Sequence, residues 1–189
     1  MVVRDERSVR AEDDYFRRRD AELVERARLD RQRESEREAL AQALGLTEPA
    51  MVEALHREGL RAESVRLLEL VPAVEVAGID GVDAAERKRL VRELAQASPD
   101  QQAERLVQDW LDRRPHADFF AAAIGGLRAQ LSSLATEGER AALRRRVVDA
   151  STAVARSSGG LLGVGALSAS EQRRIDRLEA ELDEAAGTR

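Results

Sequence analysis

Four carboxylates stand close together in the chain: Glu75, Asp80, Asp83 and Glu86, with the last three spread across the glycine turn GIDGVDAAE (78–86). Carboxylate oxygens suit hard cations such as calcium or magnesium. Gly81 would let the backbone bend tightly enough to bring two or three of these groups to one ion. The twelve-residue spacing and alternating ligands of an EF-hand loop are absent. The same residues have a plainer use. Asp83-Ala-Ala-Glu86 is a capping box, in which the Asp83 side chain accepts from the Glu86 amide and the Glu86 carboxylate accepts from the Asp83 amide. Two readings follow: a helix cap alone, or a cap that also holds a divalent cation.

The turn is written twice. Residues 78–90 read GIDGVDAAERKRL and residues 163–175 read GVGALSASEQRRI. Gly78 matches Gly163, Ile79 Val164, Val82 Leu167, Asp83 Ser168, Glu86 Glu171, Arg89 Arg174 and Leu90 Ile175. What repeats is a helix start: glycine turn, cap, glutamate three residues on, apolar stripe. Ser168 replaces Asp83, and a hydroxyl is a good cap but a poor cation ligand. Gly165 stands where Asp80 would. The repeat supports the cap and confines any cation site to the first copy.

Other chemistry is thin. His56 and His116 lie far apart without metal-ligand spacing and read as surface or boundary histidines. GGLLGVG (159–165) lacks the Lys-Ser/Thr that completes a phosphate loop and follows no strand. The arginine runs 17–19 and 144–146 point in different directions on a helix, so neither is a nucleic-acid patch. The absence of cysteine removes disulfides, thiolate metal sites and a Cys nucleophile. No nucleophile and base can be assembled, and a non-enzymatic protein is expected.

The elements that must hold these residues are helical. Of 189 residues, 43% are hydrophobic but only 3% aromatic, and 35% are charged. Ala, Leu and Val must therefore build the core, which favours close-packed helices. The net charge of −5 is interspersed along the chain. No signal-like segment opens it, and no apolar run approaches the roughly 18 residues that span a membrane. A cytoplasmic protein is expected.

Residues 5–44 contain no Gly or Pro and read as one long charged helix ending at Gly45. Tyr15, Phe16, Leu23 and Val24 form an apolar patch on it, a candidate surface for a protein partner or for self-association. DRQRESERE (30–38) interrupts the apolar positions, so no sustained coiled coil is supported. Thr47 would cap a helix over 48–58. Residues 61–77 read as a central apolar helix kinked at Pro72. Asp83 caps a helix to Ala97. Ser98-Pro99 opens one to Arg113, and Pro115 opens another carrying Phe119, Phe120, Ile124 and Leu127. Glu137–Arg156 and the helix capped by Ser168 complete an all-α bundle of about seven helices behind the long N-terminal one. The boundaries are an extension over 1–46 and a helical domain over 47–189.

The two stretches LVPAVEVAGIDGVDAAERKRL (70–90) and SSGGLLGVGALSASEQRRI (157–175), in this order and spacing, resemble the TerB-like helical domains of tellurite-resistance proteins. The likeness covers about residues 48–185. The opening DDYFRRRDAELVERARL resembles an N-terminal extension of some bacterial members. Where that family usually carries an aromatic and a small residue before the Asp-Gly, this chain has Gly78 and Ile79. The resemblance implies an all-helical domain, acidic residues suspected of binding metal ions, and a link to stress or metal-resistance systems. It implies no established enzymatic activity. Joined to the residue-level reading, it points to a non-enzymatic interaction or assembly module. The alternative is a divalent-cation sensor or sequestering protein using Glu75, Asp80, Asp83 and Glu86.

Overall fold

A computed structural model describes residues 6–97, 100–157 and 167–187, with side chains over 15–94, 100–157 and 167–184. These residues form eight α-helices and a 3₁₀ segment, with no strand among them. They run α1 (Glu6–Leu44), α2 (Pro49–Arg57), the 3₁₀ segment Ala62–Leu70, α3 (Val71–Ala77), α4 (Ala84–Ala97), α5 (Gln101–Arg113), α6 (Ala117–Ser133), α7 (Glu137–Ala155) and α8 (Ala169–Gly187). The expected Ser98-Pro99 cap and the glycine-rich stretch 158–166 lie outside the described residues.

Glycine ends α1 and α2 in the same way. At Gly45, φ is +66°, the Gly45 amide bonds the Gln42 carbonyl at 3.3 Å and Leu46 reaches back to Ala41 at 3.0 Å. At Gly59, φ is +91°, with Gly59 bonded to His56 at 3.0 Å and Leu60 to Leu55 at 3.1 Å. Both are Schellman motifs, which need the left-handed conformation that glycine adopts without a Cβ clash.

The core is aliphatic. Leu40, Leu44, Leu55, Leu67, Leu68, Leu90, Leu127, Leu131 and Leu178 are buried in one cluster with Ala, Val and a few aromatics. A second, small cluster joins Val76, Ala155 and Ile175. Trp110 anchors α5: its ring lies 5.1 Å from that of Phe119, and its Nε1 donates to the Glu58 carbonyl at 2.8 Å. An indole can be buried at low cost when its one N–H finds such a partner. Helices α3, α6, α7 and the 3₁₀ segment occupy the centre, with α8 lying across α6 and α7.

Three local expectations change. The single kinked helix over 61–77 is two elements, because Pro72 sits in the first turn of α3, where its missing N–H costs nothing. The tighter 3₁₀ segment precedes it. Residue 47 does not cap α2; Glu48 occupies that position without a side-chain bond, and Pro49 starts the helix. The extension does not run to residue 46 as a separate part, since Leu40 and Leu44 belong to the main core. In contrast, every described side chain from Tyr15 to Ser35 is exposed. The last turns of α1 are thus part of the body, and residues 15–35 are a solvated rod.

Candidate functional site

The acidic turn is built as a cap. Asp83 Oδ1 accepts from the Ala85 and Glu86 amides at 2.8 Å each, and the Asp83 amide donates to Glu86 Oε2 at 2.9 Å. Glu86 is 2% exposed, its carboxylate turned to the cap. Gly81, at φ +95°, supplies the left-handed residue that reverses the chain before it. The second copy repeats the bonds: the Ser168 amide donates to Glu171 Oε2 at 2.8 Å, and the Glu171 amide to Ser168 Oγ at 3.2 Å. A third box, not anticipated, opens α7. There Thr136 and Glu139 exchange bonds of 2.9 and 3.2 Å. Its Thr-x-x-Glu signature is present in the sequence.

The other two carboxylates turn toward the second copy. Glu75 Oε2 accepts from Arg174 Nη2 at 2.7 Å, and Arg174 Nη1 reaches Glu181 Oε2 at 3.2 Å. Burial opposes the charge on Arg174, but bonding to Glu75 and the attraction of both glutamates outweigh it, and its pKa is raised. Asp80 is exposed and meets Ser170 Oγ at 3.4 Å. The four carboxylates therefore serve a cap, an ion pair between α3 and α8, and a weak surface contact. They do not form one donor set, and no group of three or more His, Asp or Glu able to hold a metal occurs among the described residues.

Among the described residues, nothing covers the apolar patch on α1. Tyr15, Phe16, Leu23 and Val24 are each more than half exposed. Tyr15 and Phe16 pack edge to face at 5.7 Å, and Arg19 donates to Tyr15 Oη at 3.1 Å. Farther along, Arg28 pairs with Glu25 and Arg33 with Asp30 on the same helix.

Glu36 and Arg37 fasten the rod to the body. Glu36 Oε2 lies 2.9 Å from His56 Nε2 and 3.0 Å from Arg61 Nε, and Gln32 donates to its other oxygen at 2.9 Å. The hydrogen bonds from Gln32 and then His56 hold the Glu36 carboxyl below its ordinary range. His56, read from the sequence as a surface or boundary histidine, is 8% exposed. Helix α2 carries it inward against α1. Glu36 lies 20 residues from His56 on the preceding helix, and no spacing in the sequence marks the pair.

Two grooves remain. One, of about 690 Å³, is lined by Arg66, Glu69, Arg89, Glu93, Arg146 and Asp149. Much of its charge is paired internally, Arg146 with Glu69 at 2.9 Å and Arg89 with Glu93 at 2.5 Å. The other, of about 440 Å³, lies where α3, α6 and α8 meet. Pro115, Phe120 and Ile124 form its floor, and Arg114, Arg128, Arg174 and Arg177 its rim.

The chain matches no protein-family model, no curated protein and no solved structure.

Arg144 turns to Glu137 and Asp183, and Arg146 to Glu69. His116 is exposed at the start of α6. Among the described residues, no helix is long and apolar enough to cross a membrane.

Proposed function

We propose that this chain is a non-enzymatic helical interaction and assembly module of the TerB-like kind, acting in the cytoplasm within a stress or metal-ion response. The observation that carries the proposal is the uncovered row Tyr15, Phe16, Leu23 and Val24 on a rod whose described side chains stay exposed as far as Ser35. A soluble helix does not usually keep two adjacent aromatics and two branched aliphatics in water, and such a patch marks a contact surface.

Two further observations support the reading. Among the described residues, the four buried polar ones are engaged in structure: His56 with Glu36, Glu86 and Glu171 in caps, and Ser151 with the Val147 carbonyl at 2.8 Å. Groups so engaged are scaffolding rather than acid–base catalysts. The helix order and the two cap copies also suit the TerB-like pattern, with Asp80–Ser170 and Glu75–Arg174 joining one copy to the other. The cation reading has no comparable support, because the carboxylates that would ligate are spent on other partners.

Sedimentation of the full chain and of the Phe16→Asp/Leu23→Asp variant tests the proposal. The parent should associate and the variant should not, while both keep the same helical spectrum. Identical mass across the concentration range would overturn it.

A further inference from the structure

The patch on α1 and the groove between α3, α6 and α8 are complementary in both chemistry and charge. On a helix, Phe16, Asp20 and Leu23 lie at i, i+4 and i+7 and form one stripe: apolar, acidic, apolar. Asp20 is exposed and engages no described partner. The groove presents the reverse pattern. Pro115, Phe120 and Ile124 are buried along its floor, and the guanidinium groups of Arg114 and Arg177 stand at its rim, exposed and without a described partner. Arg174 and Arg128, also on the rim, already face glutamates. Arg114 and Arg177 are thus the two rim charges left to meet an incoming anion.

Arg114 is held there at some cost. It is the one described non-glycine residue with positive φ, at +46°, a conformation that L-residues rarely adopt.

The stripe cannot reach the groove of its own chain. Helix α1 is continuous from Glu6 to Leu44 and is anchored in the core by Leu40 and Leu44. Phe16 therefore stands about 36 Å along a helix from Leu40, at roughly 1.5 Å per residue. No described part of its own chain covers it, and a second copy of this chain carries a groove of matching chemistry.

We infer that the N-terminal helix of one copy docks in the α3–α6–α8 groove of another, with Phe16 and Leu23 on the Pro115–Phe120–Ile124 floor and Asp20 between Arg114 and Arg177. This rests on the proposed function above and names both its partner and its receptor surface. The contact joins two different surfaces, so a pair of copies closes only if each helix enters the other's groove.

The test is the mass of the full chain in solution, by sedimentation over a range from about 1 to 200 μM, where contacts of this size dissociate. Arg177→Glu, an exposed change on α8, should weaken association about tenfold or more without altering the helical spectrum. Asp20→Arg should do the same, and Asp20→Arg/Arg177→Glu should regain association by exchanging the charges. Loss in Phe16→Asp with no effect of Arg177→Glu overturns the groove assignment but leaves α1 as an assembly surface. A parent chain that stays monomeric throughout overturns the second copy as occupant, and with it the assembly reading. Loss in both single charge variants without rescue in the double overturns the Asp20–Arg177 contact.

Discussion

Arg174 Nη2 donates to Glu75 Oε2 at 2.7 Å across 99 residues of chain. The bond ties the helix before the first glycine turn to the helix after the second. Both side chains are mostly buried, 14% and 22% exposed, and Arg174 keeps Glu181 as a second partner. Losing one member of a buried pair is costly because it strands the other, and here Glu181 limits the damage. Glu75→Ala should destabilise the fold by about 1–3 kcal/mol in urea unfolding. With Arg174→Ala, the double-mutant coupling should be about 1–2 kcal/mol. Zero coupling would show that the pair does not join the two copies energetically.

The caps make a second prediction. Because Ser168 serves where Asp83 does, Asp83→Ser should be neutral within about 0.5 kcal/mol, whereas Glu86→Ala should cost about 1 kcal/mol or more. If the turn is a cap and no cation site, calorimetric titration with millimolar calcium or magnesium gives no saturable heat. A saturable heat that disappears in Asp80→Asn would reinstate the cation reading.

Much of this was legible in the residues, and the limits have physical causes. Gly45, Asp83-x-x-Glu86 and Ser168-x-x-Glu171 are local devices whose meaning needs only the neighbouring amides, and they appear where the spacing places them. The patch at Tyr15, Phe16, Leu23 and Val24 was also visible, as apolar residues on a charged helix. Pro72 misled because proline either kinks a helix or starts one, and the choice depends on the tight 3₁₀ segment before it. The partners of Glu75 and of His56 were invisible. The first is set by the packing of α3 on α8, far apart in sequence, and the second by the way α2 folds back on α1; no periodicity encodes either. The groove was hidden for the same reason: Phe120 and Ile124 read as core, and their position beside Arg114 and Arg177 arises only when α6 meets α8.

Acid should loosen the fold. Hydrogen bonds from Gln32 and His56 lower the Glu36 pKa, Arg37 lowers that of Glu53, Arg57 that of Asp118, and Arg140 with Arg144 that of Glu137. A carboxylate whose folded pKa is depressed stabilises the fold above its unfolded value, and that stabilisation is lost as pH falls through the folded value. Stability should be nearly flat between pH 7 and 5 and should fall below about pH 4. Glu36→Gln should flatten part of that fall. Stability that rises on acidification would contradict the assignment.

Two adjacent glycines in α6 should respond differently to a methyl group. A Cβ on Gly126 would lie 2.9 Å from Cδ2 of the fully buried Leu68, whereas one on Gly125 would meet the sulfur of the half-buried Met51 at 2.8 Å. Met51 can swing aside, and Leu68 is locked in the core. Gly125→Ala should be neutral or stabilising by up to about 1 kcal/mol through helix propensity. Gly126→Ala should destabilise by about 1–3 kcal/mol through overpacking. Equal melting shifts would mean that the core gives way at Leu68.

The most direct measurement compares the full chain with one lacking residues 1–33, a cut that removes the exposed rod and spares Glu36, Leu40 and Leu44. Sedimentation of each across the same concentrations decides whether the rod is an interaction surface. The shortened chain should be monomeric at every concentration and keep the melting temperature of the dissociated parent, while the full chain associates. Two chains of matching oligomeric state would contradict it.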